Sequence, residues 1–416
     1  MSQELRIDFL TVSRYGEPPV EASTVRALAA AGLGTAEYVP RNEEAGGGRQ
    51  RLGTYHIEPP GVPARARINV SRHSSSVTSG MGESAFNVLS RGLVAEDAQT
   101  LREGTISLDV RIFTQRERAI TGLDWATQVL RVLLDLTQGA AIDPAAQRSF
   151  GRAEISQFRP NDPLAHIAMH RELWDAESHW LHTHGMQKYG QPELDLAAVP
   201  HSLEEEGTAL LREVASLLAH EGVLVAGQEI DFEGQGRLIA VGALPDVDHQ
   251  APYGRLRLCD AAFAGEPQPV GAGRLLARLA MGDAARRIEA RDTAGALEML
   301  DRVLAANPDN CEALAAKATL YLRGGNAGEA LHLGELMELR VPSDYRGPLT
   351  VGVSLAAMAR YREALVALDR AILREPEASE CFDARAKVHE RLGNTQPAAT
   401  DHAHAEYLRR QGAPVV

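Results

Sequence analysis

The last third of the chain repeats with a period of 34 residues. Alanines and prolines recur at that spacing: Ala296, Ala330, Ala364 and Ala398, and Pro308, Pro342 and Pro376. A period of this length is typical of stacked helical hairpins, because a small residue lets two helices cross closely and a proline ends the second helix of each pair. Each hairpin buries its apolar face against its neighbours, so the pattern predicts an all-α array and not a closed globule.

Placing the unit boundaries near residues 277, 311, 345 and 379 aligns the rest of the repeat. The small residues of the first helices then share one column: Ala284, Ala318, Gly352 and Ala386. Gly325 and Gly393 fall in the turns between helices, where a left-handed backbone is needed. Pro348 predicts a late or distorted first helix in the third unit. With these features residues 274–412 resemble the tetratricopeptide repeat family, which implies a solenoid of four helix-turn-helix units.

Arrays of this family bind a protein or peptide on a concave face that the first helices line. The family's inward positions give ten predicted partner-binding residues: Met281, Ala285, Glu289, Glu312, Thr319, Arg323, Val353, Ala357, Lys387 and Arg391. Some members hold a peptide's terminal carboxylate with Lys and Asn at fixed first-helix positions. The matching positions here carry neither residue type: Ala285, Ala315, Thr319 and Asp383. The resemblance therefore predicts a non-enzymatic adaptor that lacks this carboxylate clamp.

Strand and helix patterns mix without a regular βαβ order before residue 264, which predicts an α+β domain over residues 1–264. The predicted strands include residues 5–12, 64–71, 106–113, 153–158, 227–232, 237–242 and 254–259. The predicted helices include residues 84–103 and 123–138, and a helix that Ser202 and Glu205 open with a capping box. A glycine- and proline-containing segment over 265–273 is the predicted linker to the repeat domain over 274–412.

A short motif lies in the second half of this α+β region. Thr183, Gly185, Met186, Gly190, Glu193, Leu194 and Asp195 form a T-x-G-M-x-x-x-G-x-P-E-L-D pattern. On this motif the region resembles an uncharacterised bacterial α+β domain family. The resemblance implies one N-terminal domain and assigns no chemistry to it.

Five histidines lie close together in the sequence: His166, His170, His179, His182 and His184. On strands, His166 with His170 and His182 with His184 would share a face, and three or four imidazoles can bind a metal ion. No HExxH sequence accompanies them, and the resemblance emphasises Thr183 and the glycines instead. We therefore predict no metal, no cofactor and no catalytic residue, with a metal-dependent hydrolase using residues 166–184 as the alternative.

Charge and cysteine content limit the partners and the compartment. The net charge of −13 disfavours nucleic acid, because nucleic-acid affinity depends mainly on Lys and Arg. The three cysteines have no close pair, which is typical of reduced thiols in a cytoplasmic protein. The first ten residues lack a signal-peptide pattern, and no segment predicts membrane insertion. A bacterial defence or toxin-immunity component is a further alternative function.

Overall fold

The structure is a computed structural model that describes residues 4–222, 224–231, 237–242, 253, 255–260 and 273–412. The chain divides into two compact units. In the described part, the sheet unit takes residues 4–199, 207–231 and 237–260, and the helical unit takes residues 200–206 and 273–412. Of the predicted linker only Gly273 lies inside the described residues, so the boundaries at 264 and 274 stay a prediction.

The first half of the sheet unit is a seven-stranded antiparallel sheet. Its strands are β1 (Glu4–Ser13), β2 (Thr35–Glu44), β3 (Arg49–Glu58), β4 (Ala64–His73), β5 (Ile106–Gln115), β6 (Ala140–Asp143) and β7 (Arg148–Phe150), in the order β2-β3-β4-β5-β1-β6-β7. Its helices are α1 (Glu21–Ala30), α2 (Glu83–Leu89), α3 (Ala95–Glu103), α4 (Ala119–Thr137) and α5 (Arg152–Ser156). Helix α4 packs on β1 and β5 with a buried leucine-rich stripe, and Ile7 and Ile112 pair across those strands inside the core.

The second half of the sheet unit is a six-stranded mixed sheet. Its strands are β8 (Ala168–Leu173), β9 (Ser178–His184), β10 (Glu193–Pro200), β11 (Glu229–Asp231), β12 (Arg237–Gly242) and β13 (Arg255–Asp260), in the order β11-β12-β13-β10-β9-β8. Strand β10 runs parallel to β13, and the connection between them includes helix α6 (Glu204–Glu221). The hairpin of β8 and β9 ends the sheet with β8 at its edge, and this hairpin carries most of the histidine-rich segment.

Three local predictions in this region are wrong. The strand predicted at 153–158 is helix α5, whose first turn is capped because Glu154 Oε2 accepts a hydrogen bond from the Gly151 amide at 2.9 Å. The helix predicted over 84–103 is divided into α2 and α3, and Gly92 lies between them at φ +87°. Ser202 does not cap α6: it lies in a 3₁₀ turn, and its hydroxyl has no hydrogen-bond partner among the described residues.

The helical unit is a run of eight helices that pair in sequence as four hairpins. They are α7 (Gly273–Glu289) with α8 (Thr293–Ala306), α9 (Cys311–Arg323) with α10 (Ala327–Arg340), α11 (Arg346–Ala357) with α12 (Tyr361–Arg374), and α13 (Ser379–Arg391) with α14 (Thr395–Gly412). The repeating alanines of the second helices and the small residues that recur in the first helices are all buried. Each repeating proline lies two residues after the end of a second helix. Pro348 does not distort α11, because it lies in the first turn, where a backbone N–H has no intrahelical acceptor.

The turn between the two helices of each hairpin has a left-handed residue at the same repeat position. The four residues are Arg291 (φ +63°), Gly325 (φ +80°), Ala359 (φ +61°) and Gly393 (φ +78°). Only two of them are glycine, so the first and third turns hold an L-residue in a conformation that costs energy. Among the described helices of the chain, none has a stretch long and apolar enough to cross a bilayer.

Candidate functional site

A groove of about 850 Å³ lies along the first helices of the second, third and fourth repeats. Helices α9, α11 and α13 supply most of its lining. The apolar part comes mainly from Ala315, Leu322, Leu349, Val353 and Ala356. Because leucine and valine side chains here are only partly buried within the unit, the groove presents apolar surface that a partner could cover.

The groove brings together five of the ten predicted partner-binding residues: Thr319, Val353, Ala357, Lys387 and Arg391. The other five do not line it. Met281, Ala285 and Glu289 are on α7 in the first repeat, and Glu312 and Arg323 are exposed near the two ends of α9. The predicted residues that line the groove therefore come from the second, third and fourth repeats, and none comes from the first.

Positive charge lies at the α13 side of the groove. Lys387 and Arg391 are four residues apart on α13 and so project from one face of that helix. Neither forms an ion pair with any carboxylate of the described residues. Asp383, one turn before Lys387, pairs instead with Arg409 and lies 3.6 Å from His402 Nδ1. Two cations thus remain available to an acidic partner.

Tyr345 also lines the groove, and it is not among the residues predicted from the sequence. Its hydroxyl donates a hydrogen bond to Glu380 at 2.6 Å, which joins the third and fourth repeats. Burial, together with the Glu380 carboxylate, raises the pKa of Tyr345 to about 12, so this phenol stays protonated and keeps donating at neutral pH. Its place at the start of α11 is the only signal that sequence reasoning could have used.

Close helix packing fixes the groove's walls. A Cβ on Gly352 would lie 2.6 Å from Leu368 Cγ, and a Cβ on Gly334 would lie 2.8 Å from the Val351 nitrogen. Leu368 is fully buried, so α11 and α12 approach each other more closely than alanine would allow. This contact sets the position from which Val353 reaches the groove.

In the sheet unit, the hairpin of β8 and β9 brings together three of the five clustered histidines. His170 and His182 are opposite each other in the antiparallel register, and His184 follows on the same face as His182. Their ring centroids are 4.5 Å (His170 and His184), 4.9 Å (His182 and His184) and 5.7 Å (His170 and His182) apart.

The other two histidines are elsewhere, which corrects the pairing of His166 with His170. His166 ends a 3₁₀ turn and not a strand, and its Nε2 lies 3.3 Å from Thr127 Oγ1 in the core. His179 is an odd number of residues from His182 along β9, so its side chain is on the opposite face of the sheet.

Burial keeps the imidazoles of His170 and His182 neutral. Burial, reinforced by the charge of Arg255, lowers the pKa of His182 to about 2, and burial also lowers the pKa of His170. Arg255 Nη1 lies 2.9 Å from His182 Nδ1, so the guanidinium donates to that nitrogen. Arg255 was not selected from the sequence, because its contact with His182 spans 73 residues.

The motif residues form an internal hydrogen-bond network. Thr183 Oγ1 donates to Glu193 Oε2 at 2.8 Å and accepts from the Leu194 amide at 2.8 Å. Gly185 has φ +110°, and a Cβ there would lie 2.5 Å from the His166 oxygen, so only glycine fits. Its amide donates to Glu193 Oε1 at 2.9 Å. Burial raises the pKa of Glu193 to about 7. These contacts give the motif a structural role in joining β9 to β10.

Comparison with known proteins supports the repeat assignment. Residues 287–346 match the tetratricopeptide repeat family. Together with the four helix hairpins, this match identifies the C-terminal part as a tetratricopeptide-type solenoid that follows an α+β unit. The resemblance of the motif region to an uncharacterised bacterial family stays a prediction.

Several solved structures are similar to part of the chain. MamA MSR-1 is 20% identical with a TM-score of 0.27, over 33% of this chain and 79% of that one. A thermophilic TPR protein of Thermus thermophilus is 22% identical with a TM-score of 0.30, over 32% of this chain and 74% of that one. MamA from Desulfovibrio magneticus RS-1 is 18% identical with a TM-score of 0.28, over 33% and 77% of the two chains. At these scores the likeness carries no argument about function. No curated protein matches the chain.

Proposed function

We propose that the helical unit is a protein-interaction module that binds a segment of a partner protein in the groove of α9, α11 and α13. The observation that carries this proposal is the groove, whose apolar lining residues are partly exposed. The groove lies in a repeat fold of a class that binds proteins. The proposal assigns no reaction to the protein. Neither the family match nor the described residues favour the hydrolase or the defence component over this function.

The charge of the groove defines the partner further. A bound segment places apolar side chains against Leu349 and Val353 and acidic side chains near Lys387 and Arg391. Opposite charges that meet across an interface favour the correct partner and speed its association. Because the Lys and Asn of the terminal-carboxylate clamp are missing, the acidic groups come from side chains within the segment.

Matched variants of the full-length chain test the proposal. Val353→Glu puts a charge into the groove, and Val366→Glu makes the same change on α12 at a valine that is 61% exposed and outside the groove lining. Each protein is used to capture partners from the cells that produce it, and the affinity for the captured partner is then measured. We expect Val353→Glu to weaken binding at least tenfold and Val366→Glu to leave it unchanged.

Charge reversal supplies the second arm. Lys387→Glu with Arg391→Glu is compared with Arg362→Glu, which changes an exposed arginine of α12 that does not line the groove. We expect the double variant to reduce the affinity and to flatten its dependence on salt, because both effects follow from losing two interfacial cations. Equal affinities for the groove variants and their matched controls would contradict the proposal.

A further inference from the structure

The histidine cluster of β8 and β9 has the chemistry of a metal site. One nitrogen atom from each of His170, His182 and His184 lies within 4.8 Å of the other two. The three side chains share one face of a two-stranded antiparallel ladder, so regular backbone geometry already aims them at a common point. Three nitrogens bound to one tetrahedral Zn²⁺ at about 2.0–2.1 Å lie roughly 3.3 Å apart, so ring movements of about 1 Å would complete the geometry.

The surroundings of the rings point to a ligand. His182 is 3% exposed, and its Nε2 has no hydrogen-bond partner among the described residues. The carboxylate oxygen Glu172 Oε1 is 3.6 Å from this nitrogen, beyond hydrogen-bond distance. A buried ring nitrogen without a partner costs free energy, which a bound cation would recover.

His170 forms the second hydrogen bond that metal-binding histidines usually form through the ring nitrogen that does not bind the ion. Its ring is hydrogen-bonded to the backbone of Ala146, which leaves its other nitrogen for a ligand. The side chain of His170, on the edge strand β8, is only partly buried, so an ion can reach it from solvent. A neutral imidazole with one nitrogen held by a backbone carbonyl is the form that coordinates a transition metal.

We propose that His170, His182 and His184 bind a divalent first-row transition metal, with Zn²⁺ as the best-fitting ion, and that the fourth position is open to water. Imidazole ligands suit Zn²⁺ and its neighbours and exclude Mg²⁺ and Ca²⁺, which require oxygen. Glu172, whose Oε1 lies 3.6 Å from His182 Nε2, does not belong to the converging group. The proposal concerns binding of the ion and adds no reaction to the function proposed above.

Arg255 competes with the metal. It donates to His182 Nδ1, so if that nitrogen binds the ion, the guanidinium must leave. If Nε2 binds instead, the neutral ring carries its proton on Nδ1, and two donors then face each other. In both cases Arg255 must move when the ion binds. A substitution that removes the positive charge of Arg255 also removes its repulsion of the dication, so we expect such a variant to bind the metal more tightly.

The test uses the full-length chain without a polyhistidine tag, treated with a chelator and then titrated with ZnCl₂ by calorimetry. Co²⁺ is titrated separately, and its visible spectrum reports four-coordinate binding. We expect one equivalent of Zn²⁺ with a submicromolar dissociation constant. His170→Asn and His184→Ala should each weaken binding at least tenfold. His179→Ala is the matched control on the opposite face of β9 and should bind as the wild type does.

Arg255→Gln separates a metal site from a loss of folding. It should bind Zn²⁺ at least threefold more tightly than the wild type, and misfolding cannot produce such a gain. The circular dichroism spectrum of each variant confirms that it is folded. Substoichiometric binding by the wild type, an equal loss in His179→Ala and His170→Asn, or weaker binding by Arg255→Gln would each overturn the proposal. The metal-binding test and the partner-binding test use variants of different residues. A failure of the metal proposal can therefore be told apart from a failure of partner binding in the groove.

Discussion

The close contact between α11 and α12 gives a quantitative prediction for Gly352→Ala. The added Cβ would lie 2.6 Å and 2.8 Å from Leu368 Cγ and Cδ2 and 3.2 Å from the Ala364 oxygen. Carbon atoms prefer about 3.5–4.0 Å, so Leu368 or the whole of α12 must move by about 1 Å. Leu368 has no exposed surface and packs against Leu355 and Val388, so it cannot simply rotate away.

The expected cost follows from two opposing effects. Overpacking of a dense core costs about 1–3 kcal/mol, whereas alanine is better than glycine in a helix by about 1 kcal/mol. We therefore expect Gly352→Ala to lower the free energy of unfolding by up to about 2 kcal/mol. Gly282→Ala is the matched control in α7, where the nearest atom to the new Cβ is Arg286 Nη1 at 3.8 Å. That variant should gain about 0.5–1 kcal/mol.

Urea unfolding of the full-length chain measures both variants. Far-ultraviolet circular dichroism follows the helices, and tryptophan fluorescence follows the sheet unit, which contains all three tryptophans, Trp125, Trp174 and Trp180. Gly352→Ala should lower the midpoint of the helical transition, and Gly282→Ala should raise it. If Gly352→Ala is as stable as Gly282→Ala, then the close crossing of α11 and α12 does not constrain the array, and the packing argument is refuted.

The other predictions concern the turns and the buried carboxyl group. Ala359→Gly should stabilise the array by about 0.5–1 kcal/mol, because glycine adopts φ +61° without strain, and Gly325→Ala should destabilise it by a similar amount; thermal unfolding that shows the opposite order would contradict this. Glu193, which lies near Arg255 and Lys188, has its pKa raised by burial from 4.5 to about 7. The folded state therefore retains a proton that the unfolded chain releases, and the sheet unit should lose up to about 3 kcal/mol of stability as the pH rises from about 4.5 to 7. Glu193→Gln should remove that pH dependence, and an unchanged slope in denaturant titrations at several pH values would show that another group causes it.

The repeat architecture could be predicted from the sequence because it rests on local patterns. Buried alanines and helix-ending prolines recur every 34 residues, and both effects act within one hairpin. The left-handed residues Arg291 and Ala359 escaped notice, because they carry side chains that usually avoid that conformation. Their position becomes evident only when they are aligned with Gly325 and Gly393.

The candidate sites were predicted less completely, because they depend on contacts between distant residues. Val353, Lys387 and Arg391 were placed in the groove by the repeat alignment, whereas Tyr345 and its bond to Glu380 required the stacking of two repeats. Alternation along a strand correctly put His182 and His184 on one face. The addition of His170 depended on the register of β8 against β9, and the role of Arg255 depended on the order of the whole sheet. The periodicity of a single segment reveals neither the register between two strands nor the order of strands in a sheet.

Photo-crosslinking within the producing cells tests the central claim most directly. A benzoylphenylalanine side chain replaces Val353 in the groove in one protein and Val366 on the exposed face of α12 in another. We expect a covalent adduct with one protein species from position 353 alone, and we expect the adduct to disappear when Lys387→Glu and Arg391→Glu are added. Equal adducts from both positions, or an adduct from position 366 alone, would contradict partner binding in the groove.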